Sequence, residues 1–424
     1  MADEARRDVV QAQPRGAKNR VLGRFAAPFS SLSIRNYRYL WFGQVGSAVG
    51  MHADMLARGW LTHEMTGSNA QVGAVMLMRS LPMLIFGLGG GVIADRFDRR
   101  RLLIIIQVWT MLAHVLMAAL ILSGVVVLWH VYAVAFLLGI GMAMNQPVRT
   151  TMIPEVVGKK HMLNAIALNS LAINSTRFIG PAAIAFVIAE WGVGYAYVVS
   201  ALAYAAVIWS TIKIRVDLSA IGRKTTSMAS QFAEGLRYIA RQRMILSLVL
   251  LGLGPLSFGL AHRTLLPGLV DERLGGDVRI LGFLSSAAAI GSIAGALILG
   301  ARGTIRGRGP LMLVMTVTYG VALALLAAPV ILWAVYALMI VAGVSQTVFR
   351  TANTSVLLER TPDQLRGRVM SVVMLDNALA PVAGLAAGLI ADGVGIGSGF
   401  LFLGIACLVV VAMALAFYPR LIKT

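Results

Sequence analysis

Among the ionisable side chains inside the long apolar segments of this sequence, six stand out, because a charge there is unfavourable unless it has a partner or faces water. They are two aspartates and four arginines: Asp54, Asp376, Arg58, Arg79, Arg177 and Arg263. In a lipid-embedded segment such groups pair with one another, line a polar cavity, or handle an ion or a proton. Since arginines outnumber aspartates, a cavity lined by them is predicted to be positive and to favour an anionic or acyl-bearing solute over a cation.

Asp54 and Arg58 stand four residues apart, which puts them on one face of a helix and allows a direct pair. Two interpretations stay open. The pair is structural, or Asp54 carries a coupling proton, because burial favours the neutral carboxyl group while the neighbouring arginine favours the charged one. Arg79 has no acid within a helical turn, so Asp54 is also a candidate partner for it.

A polar stripe crosses one apolar segment, where Ser170, Asn174, Arg177 and Pro181 recur at spacings of four, three and four residues. This periodicity indicates one helix face and predicts that the stripe borders a cavity.

Polar residues also cluster near the ends of two other segments. Gln146 accompanies Arg149, and Gln346 accompanies Arg350. Both arginines are explained equally well by reaching the membrane surface or by contacting substrate. Asp376 can neutralise one of the arginines inside the apolar segments.

The elements that must position these residues are membrane-spanning helices, because the chain is 58% hydrophobic and only 13% charged. Windows of about 20 apolar residues, enough to cross a bilayer, predict twelve spans. Six lie before a polar linker and six after it: 37–62, 70–93, 102–124, 128–150, 165–188, 193–213, 244–266, 280–301, 310–327, 331–352, 368–391 and 398–418.

The predicted organisation is an all-α membrane protein with two six-helix bundles. Residues 1–33 form a basic tail, 34–213 the first bundle, 214–243 a linker with an amphipathic helix, 244–418 the second bundle, and 419–424 a short tail. Lysine and arginine are concentrated in alternate loops, which predicts that both termini are cytoplasmic. The formal net charge of +19 is therefore attributed to membrane topology, and no nucleic-acid partner is expected.

One short loop carries the most specific motif. It reads Gly91-Val-Ile-Ala-Asp95-Arg96-Phe-Asp98-Arg99-Arg100-Arg101. This resembles the signature loop of the major facilitator superfamily, G-x-x-x-D-R-x-G-R-R, with Asp98 at the position that is usually glycine. The resemblance implies that Asp95 acts as a latch against the start of the eleventh span, with Arg366 or Arg368 as its partner.

Two further segments extend the resemblance over about residues 33–418: Asn36-Tyr37-Arg38-Tyr39-Leu40-Trp41, and Thr361-Pro362-Asp363 followed by Gly367-Arg368-Val369. They look like the drug and siderophore exporter branch that includes enterobactin exporters. Arg177-Phe-Ile-Gly180-Pro181 resembles part of the glycine-proline motif of exporters. The resemblance implies two bundles that alternate about a central cavity, with proton entry coupled to solute exit at the inner membrane of a bacterium.

A nutrient importer or a lipid translocase of the same fold is the alternative to an exporter. A membrane-embedded enzyme is disfavoured, since no convergent catalytic constellation and no G-x-x-x-x-G-K-[ST] loop occur in the sequence. We expect no cofactor and no metal. The expected partners are a small-molecule solute, protons and the lipid bilayer, and the chain is expected to be a monomer.

The signature loop yields a first prediction. Asp95→Asn keeps the size of the side chain but removes the charge that the latch requires, so transport in vesicles should fall while membrane insertion is retained. Transport activity and the amount of inserted protein are measured in the same vesicle preparation. Normal transport by this variant would contradict the latch.

Overall fold

A computed structural model of the chain describes residues 27–86, 98–215, 228–302, 307–373 and 375–419. In these ranges the chain is helical, with short turns between the helices. After a 3-10 turn at Ala27–Ser33, the first helices are α1 (Arg35–Thr66), α2 (Asn69–Phe86) and α3 (Arg99–Leu122). The element Leu128–Trp191 contains two helices, α4 and α5, which meet at Gly158, and α6 follows at Val193–Ile212.

The second part of the chain begins with the linker helix α7 (Met228–Arg241), which lies inside the predicted linker. The remaining helices are α8 (Arg243–Arg273), α9 (Val278–Arg302), α10 (Arg308–Leu325), α11 (Leu332–Arg360), α12 (Asp363–Val373), α13 (Leu375–Val394) and α14 (Ile396–Phe417). Nine helical segments of the described ranges are long and apolar enough to cross a membrane, and Leu379–Val394 is a shorter apolar helix.

Several helices are longer than the apolar windows that predict them. Helix α4 continues past residue 150 to Gly158, and α11 continues from 352 to Arg360. The chain turns at Gly158 without a loop because this residue adopts φ 68° and ψ 171°, a conformation that favours glycine. An apolar window identifies only the part of a helix that suits a lipid environment. The hydrogen-bonded helix itself continues into the polar residues beyond that window.

Helix α8 contains a π-helical segment, Leu253–Phe258, near its middle. The sequence predicts a weak point there, because Gly254 is flexible and Pro255 cannot donate the backbone hydrogen bond of a regular helix. Two side chains bond to the carbonyl groups of this segment. The Cys407 thiol lies 3.5 Å from the Gly254 oxygen, and the Gln346 amide donates to the Pro255 oxygen at 3.5 Å.

The linker helix α7 packs with one face against the C-terminal helices. Phe232, Gly235 and Ile239 lie on that face, with Ile239 only 2% exposed. The sequence groups Leu236 with this apolar face, but the structure leaves it 51% exposed. A Cβ atom at Gly235 would collide with the backbone oxygen of Arg368, so a glycine permits the close approach of α7 to α12.

At one end of the molecule, the N-terminal and C-terminal helices contribute to a single hydrophobic core. At the other end, each of these two groups of helices has its own core. The end that carries the turns 67–68, 274–277 and Gly395 is here called the closed end. The hydrophobic cluster at this end contains residues from both α1–α6 and α8–α14. At the opposite end, here called the basic end because Arg99, Arg308 and Arg368 lie there, two clusters are found. One contains only residues of 37–214 and the other only residues of 239–414.

Polar contacts also join the N-terminal helices α1–α6 to the C-terminal helices α8–α14 at the closed end. The Asp392 carboxylate of α13 accepts hydrogen bonds from the Ser68 hydroxyl at 2.5 Å and from the Asn69 and Ala70 amides at 2.8 and 3.0 Å. It thereby caps the positive N-terminus of α2. His63 lies 3.2 Å from Asp271, and Arg279 pairs with Glu190.

Helix packing at this end is also close. A Cβ atom at Gly73 would lie 2.6 Å from the Cα atom of Leu385, so α2 and α13 approach backbone to backbone. A Cβ atom at Gly282 would lie 2.8 Å from the Pro181 oxygen, so α9 approaches α5 in the same way. Small residues at helix crossings allow this packing in membranes, where van der Waals contact drives association.

Asp392→Ala removes the acceptor of three hydrogen bonds that join α13 to the first turn of α2. The closed end should therefore separate more readily, and the ratio of separated to joined molecules should rise about tenfold, as expected for roughly 1.4 kcal/mol of lost hydrogen bonding. Double electron–electron resonance between spin labels at Glu64→Cys and Val394→Cys, in a Cys407→Ser background, measures this ratio.

The matched control is Glu359→Ala, because Glu359 pairs with Arg308 within the C-terminal helices at the basic end. This control should leave the distances between the labels unchanged. Equal distance distributions for Asp392→Ala and Glu359→Ala would show that Asp392 does not hold the closed end together.

Candidate functional site

A cavity lies between the N-terminal and C-terminal helices, below the closed end. Its volume is about 70 Å³, and α1, α2, α5, α8 and α9 line it. Ligand pockets are usually about 300–1,000 Å³, so a larger solute requires the helices to move apart. The lining residues are His52, Met55, Leu56, Gly59, Met76, Arg177, Pro181, His262, Arg263, Leu266, Pro267, Leu281, Ser285 and Ala288.

Two arginines give this cavity its charge. Arg177 comes from α5 and Arg263 from α8, and the two guanidinium groups interact electrostatically. The cavity lining of the described chain contains no aspartate or glutamate. Arg177 donates to the Gln346 side-chain oxygen at 3.5 Å. Since Gln346 also bonds to Pro255, it connects the arginine of α5 to the π-helical segment of α8.

The two histidines of the cavity differ in their partners. His262 is fixed, because its Nδ1 atom lies 2.6 Å from the Gly259 oxygen and 3.3 Å from the Tyr319 hydroxyl. The Nε2 atom of His52 is buried and has no hydrogen-bond partner among the described residues. Gly180 lies beside this histidine, since a Cβ atom there would be 3.4 Å from the His52 Cβ atom. His52 therefore presents an unused polar atom beside the cavity.

Asp54 lies in a separate buried site within the N-terminal helices. Its Oδ2 atom is 3.2 Å from Arg58 Nη1 and also pairs with Arg79 of α2. Asp54 and Arg58 have side chains that are 1% and 2% exposed. One carboxylate thus pairs with two guanidinium groups. Removing this carboxylate would leave buried positive charges without their counter-charge, which is strongly destabilising. None of these three residues is among those that line the cavity.

Aromatic residues surround the Asp54 site in a way that sequence reasoning missed. His114 stacks on Tyr204 with ring centroids 5.3 Å apart and lies 6.1 Å from the Tyr197 ring. Tyr197 and Tyr204 both interact electrostatically with Arg79. The sequence offers no signal for this cluster, because the residues come from α3 and α6 and share no spacing with Asp54.

The polar stripe of α5 divides in the structure. Arg177 and Pro181 line the cavity, whereas Asn174 is exposed and is not among the lining residues.

The polar residues near the ends of the two other segments also have different surroundings. Gln346 is buried and reaches Arg177. Arg149 of α4 is 2% exposed and bonds to the Leu40 oxygen at 3.1 Å. Arg149 therefore ties α4 to α1 and does not reach the membrane surface. The side chains of Gln146 and Asp376 lie outside the part of the chain that the structure describes.

The signature loop is described only at its end, and Gly91, Asp95 and Arg96 lie outside the described residues. Arg99 pairs with Glu155, and Arg100 donates to the Ile212 oxygen at 2.6 Å. Both arginines therefore connect the start of α3 to neighbouring N-terminal helices.

The predicted partners of Asp95 also have contacts of their own. Arg368 pairs with Glu234 of the linker helix α7, and Arg366 pairs with Asp363 at 2.5 Å. The pairing of Arg368 with the linker helix has no counterpart in the sequence-based expectation. The latch with Asp95 stays a prediction.

A family described as transmembrane secretion effector matches residues 26–423. The staphyloferrin A transporter of Staphylococcus aureus is 25% identical over 404 residues, which cover 93% of this chain and 96% of that protein. The multidrug efflux pump Tap of Mycolicibacterium fortuitum is 26% identical over 394 residues, which cover 90% and 95% of the two chains.

Among solved structures, the nucleoside transporter NupG superposes with a TM-score of 0.72. The superposition covers 90% of this chain and 98% of that chain at 13% sequence identity. At this identity the similarity concerns the fold alone.

The Asp54 site predicts a large effect on stability. Asp54→Asn leaves Arg58 and Arg79 without their shared counter-charge, and removing one partner of a buried ion pair costs about 3–5 kcal/mol. Thermal unfolding of the purified protein in detergent should therefore shift to a clearly lower midpoint. Adding Arg79→Gln to Asp54→Asn removes one uncompensated charge and should restore part of the loss.

Glu359→Gln is the matched control, because this carboxylate is 64% exposed and pairs with Arg308 within the C-terminal helices. Exposed pairs contribute about 0–1 kcal/mol. Equal midpoints for Asp54→Asn and Glu359→Gln would show that the buried group does not depend on its carboxylate.

Proposed function

Because the chain belongs to the transmembrane secretion effector family of the major facilitator superfamily, whose members are transporters and not enzymes, we propose that it exports small amphipathic molecules in exchange for protons. The predicted resemblance to the drug and siderophore exporter branch is confirmed by this family and these relatives. The chain is a multi-pass membrane transporter. Its export direction, coupling ion and solute are parts of the proposal.

One observation carries the proposed mechanism. The hydrophobic core is common to both groups of helices at the closed end and divided between them at the basic end. A molecule joined at one end and divided at the other can rock about its centre, which is the motion that alternating access requires. The cavity lies between the two groups of helices, where such rocking would open it to either side in turn.

The proposed topology has twelve spans in two six-helix bundles, with residues 34–213 and 244–418 as the bundles and 214–243 as their linker. In this arrangement the pair α12 and α13 forms the eleventh span. The basic end faces the cytoplasm, because short loops rich in arginine and lysine are retained there. The arrangement described above is then open towards the cytoplasm and closed towards the outside of the inner membrane.

Asp54 is the proposed site of proton coupling. Its carboxylate is held by Arg58 and Arg79, so taking up a proton requires it to separate from at least one of them. Arg79 belongs to α2, which also carries the closed-end contacts with Asp392. A change of the Asp54–Arg79 pair would therefore act on the helix that closes the cavity. Export as the direction is supported by the relative whose name describes it as an efflux pump.

The proposal is tested in inverted membrane vesicles with an acidic interior. Ethidium, carboxyfluorescein and staphyloferrin A serve as a cationic, an anionic and a siderophore probe. We expect the vesicles to accumulate at least one of them while the pH gradient lasts, and to stop when a protonophore dissipates the gradient. Accumulation only in right-side-out vesicles would instead favour a nutrient importer or a lipid translocase.

The double variant Asp54→Asn with Arg79→Gln tests the coupling site, because it removes the carboxylate and one guanidinium group together and leaves the net charge of the site unchanged. The variant should lose gradient-driven accumulation while it still exchanges labelled for unlabelled solute. Glu359→Gln serves as the control and should transport normally, because Glu359 pairs with Arg308 within the C-terminal helices at the basic end. Full gradient-driven accumulation by the double variant would exclude Asp54 as the proton carrier.

A further inference from the structure

We infer that Arg177 and Arg263 together bind the anionic group of the solute, and that the transported compounds are amphipathic anions such as carboxylates. This inference rests on the proposed function and specifies its substrate class. It concerns the cavity between α1, α5 and α8, and it starts from the distribution of charge among the buried residues.

The first step is that the aspartate nearest in sequence to the cavity is already engaged. Asp54 pairs with both Arg58 and Arg79, and these three residues do not line the cavity. They form a group with one more positive than negative charge, so Asp54 has no negative charge to spare for the cavity. The arginines of the cavity must therefore find their counter-charge elsewhere.

The second step is that Arg177 and Arg263 have no acidic partner among the residues that the structure describes. Arg177 bonds to the neutral amide of Gln346, at the long distance of 3.5 Å. Two guanidinium groups that face one cavity repel each other, and a desolvated charge without a partner is unfavourable. An anion between them would relieve the repulsion and satisfy donors of both groups.

The third step concerns the other walls of the cavity. His52 adds a buried nitrogen atom that has no hydrogen-bond partner among the described residues and can donate to an anion in the appropriate tautomer. The remaining lining is largely apolar, with Met55, Leu56, Leu266 and Leu281 among its residues. A positive group of donors beside apolar walls suits a molecule with an anionic head and an apolar body.

The fourth step is that the cavity disfavours a cationic solute. A lipophilic cation in this cavity would approach two arginines without a carboxylate in the described lining to offset them. Like charges at short distance in a medium of low dielectric constant repel strongly. An anionic solute is therefore favoured over a neutral one, and a neutral solute over a cationic one.

Binding of three probes that share one carbon skeleton tests this order. Phenylbutyrate, phenylbutyramide and phenylbutylamine are anionic, neutral and cationic at about pH 7.5. Calorimetry on the purified full-length protein in lipid nanodiscs measures their affinities without any gradient. The carboxylate should bind at least tenfold more tightly than the amide, as expected for a charge-assisted hydrogen bond, and the amine should bind most weakly.

The variants Arg177→Gln and Arg263→Gln should each reduce the affinity for the carboxylate about tenfold or more and leave the affinity for the amide unchanged. Unchanged amide binding shows that the variant is folded. Arg263→Lys keeps the charge without the planar fork of donors, so it should retain part of the preference for the carboxylate. Arg308→Gln is the matched control, because Arg308 pairs with Glu359 within the C-terminal helices at the basic end and does not line the cavity.

The inference is overturned if the amide or the amine binds the wild-type protein as tightly as the carboxylate. It is also overturned if no saturable carboxylate binding occurs at millimolar concentration, or if both glutamine variants keep the wild-type preference. Should a glutamine variant fail to fold, the wild-type order and Arg263→Lys still decide. A protein that prefers the carboxylate but moves no solute in vesicles would contradict the proposed function and leave the binding site standing.

Discussion

A charge buried among apolar helices must have a partner or face a polar cavity, and this constraint sorts the arginines of this transporter into two kinds. Arg58 and Arg79 share Asp54, and Arg149 bonds to the backbone of α1. These three hold the N-terminal helices together. Arg177 and Arg263 instead face the space between the two groups of helices. The same residue type thus joins helices in one place and lines the proposed solute site in another.

Arg58, Arg79 and Arg149 have their partners within the N-terminal helices, which leaves the lining of the cavity to Arg177 and Arg263. In the proposed rocking motion, these contacts would move together with the N-terminal helices. The contacts between the two groups differ in kind along the molecule. At the closed end they are helix caps and backbone-to-backbone crossings. Towards the middle, one contact is the long bond between Arg177 and Gln346.

Much of the fold follows from hydropathy, and a smaller part of the site follows from spacing. The pair of Asp54 with Arg58 is a local relation of four residues, and the weak point of α8 follows from Gly254 and Pro255. Both could be predicted because they depend on neighbours in the chain. The periodicity of α5 identified Arg177 as a cavity residue for the same reason.

The remaining relations join residues far apart in sequence, and no local pattern encodes them. Asp392 is a single aspartate at the end of an apolar helix, and only the fold brings it to the N-terminus of α2. Arg368 pairs with Glu234, because α7 packs closely over α12, and its predicted contact with Asp95 stays a prediction. Hydropathy likewise marks the lipid-embedded part of a helix, which is why the continuation of α4 to Gly158 was not predicted.

The position of the two cavity arginines on different groups of helices has a thermodynamic consequence. Arg177 belongs to α5 and Arg263 to α8, so any movement of one group past the other changes the distance between their guanidinium groups. A solute that bonds to both arginines then has different affinities for the two arrangements, and a ligand shifts a conformational equilibrium only by such a difference. By the reciprocity of linked equilibria, the factor by which the solute shifts the conformational equilibrium equals the ratio of its affinities for the two arrangements.

Gln346 extends this linkage to the π-helical segment of α8, since it contacts both Arg177 and Pro255. Solute binding and the conformation of α8 are therefore coupled through the side chain of Gln346, which lies where the two groups of helices meet.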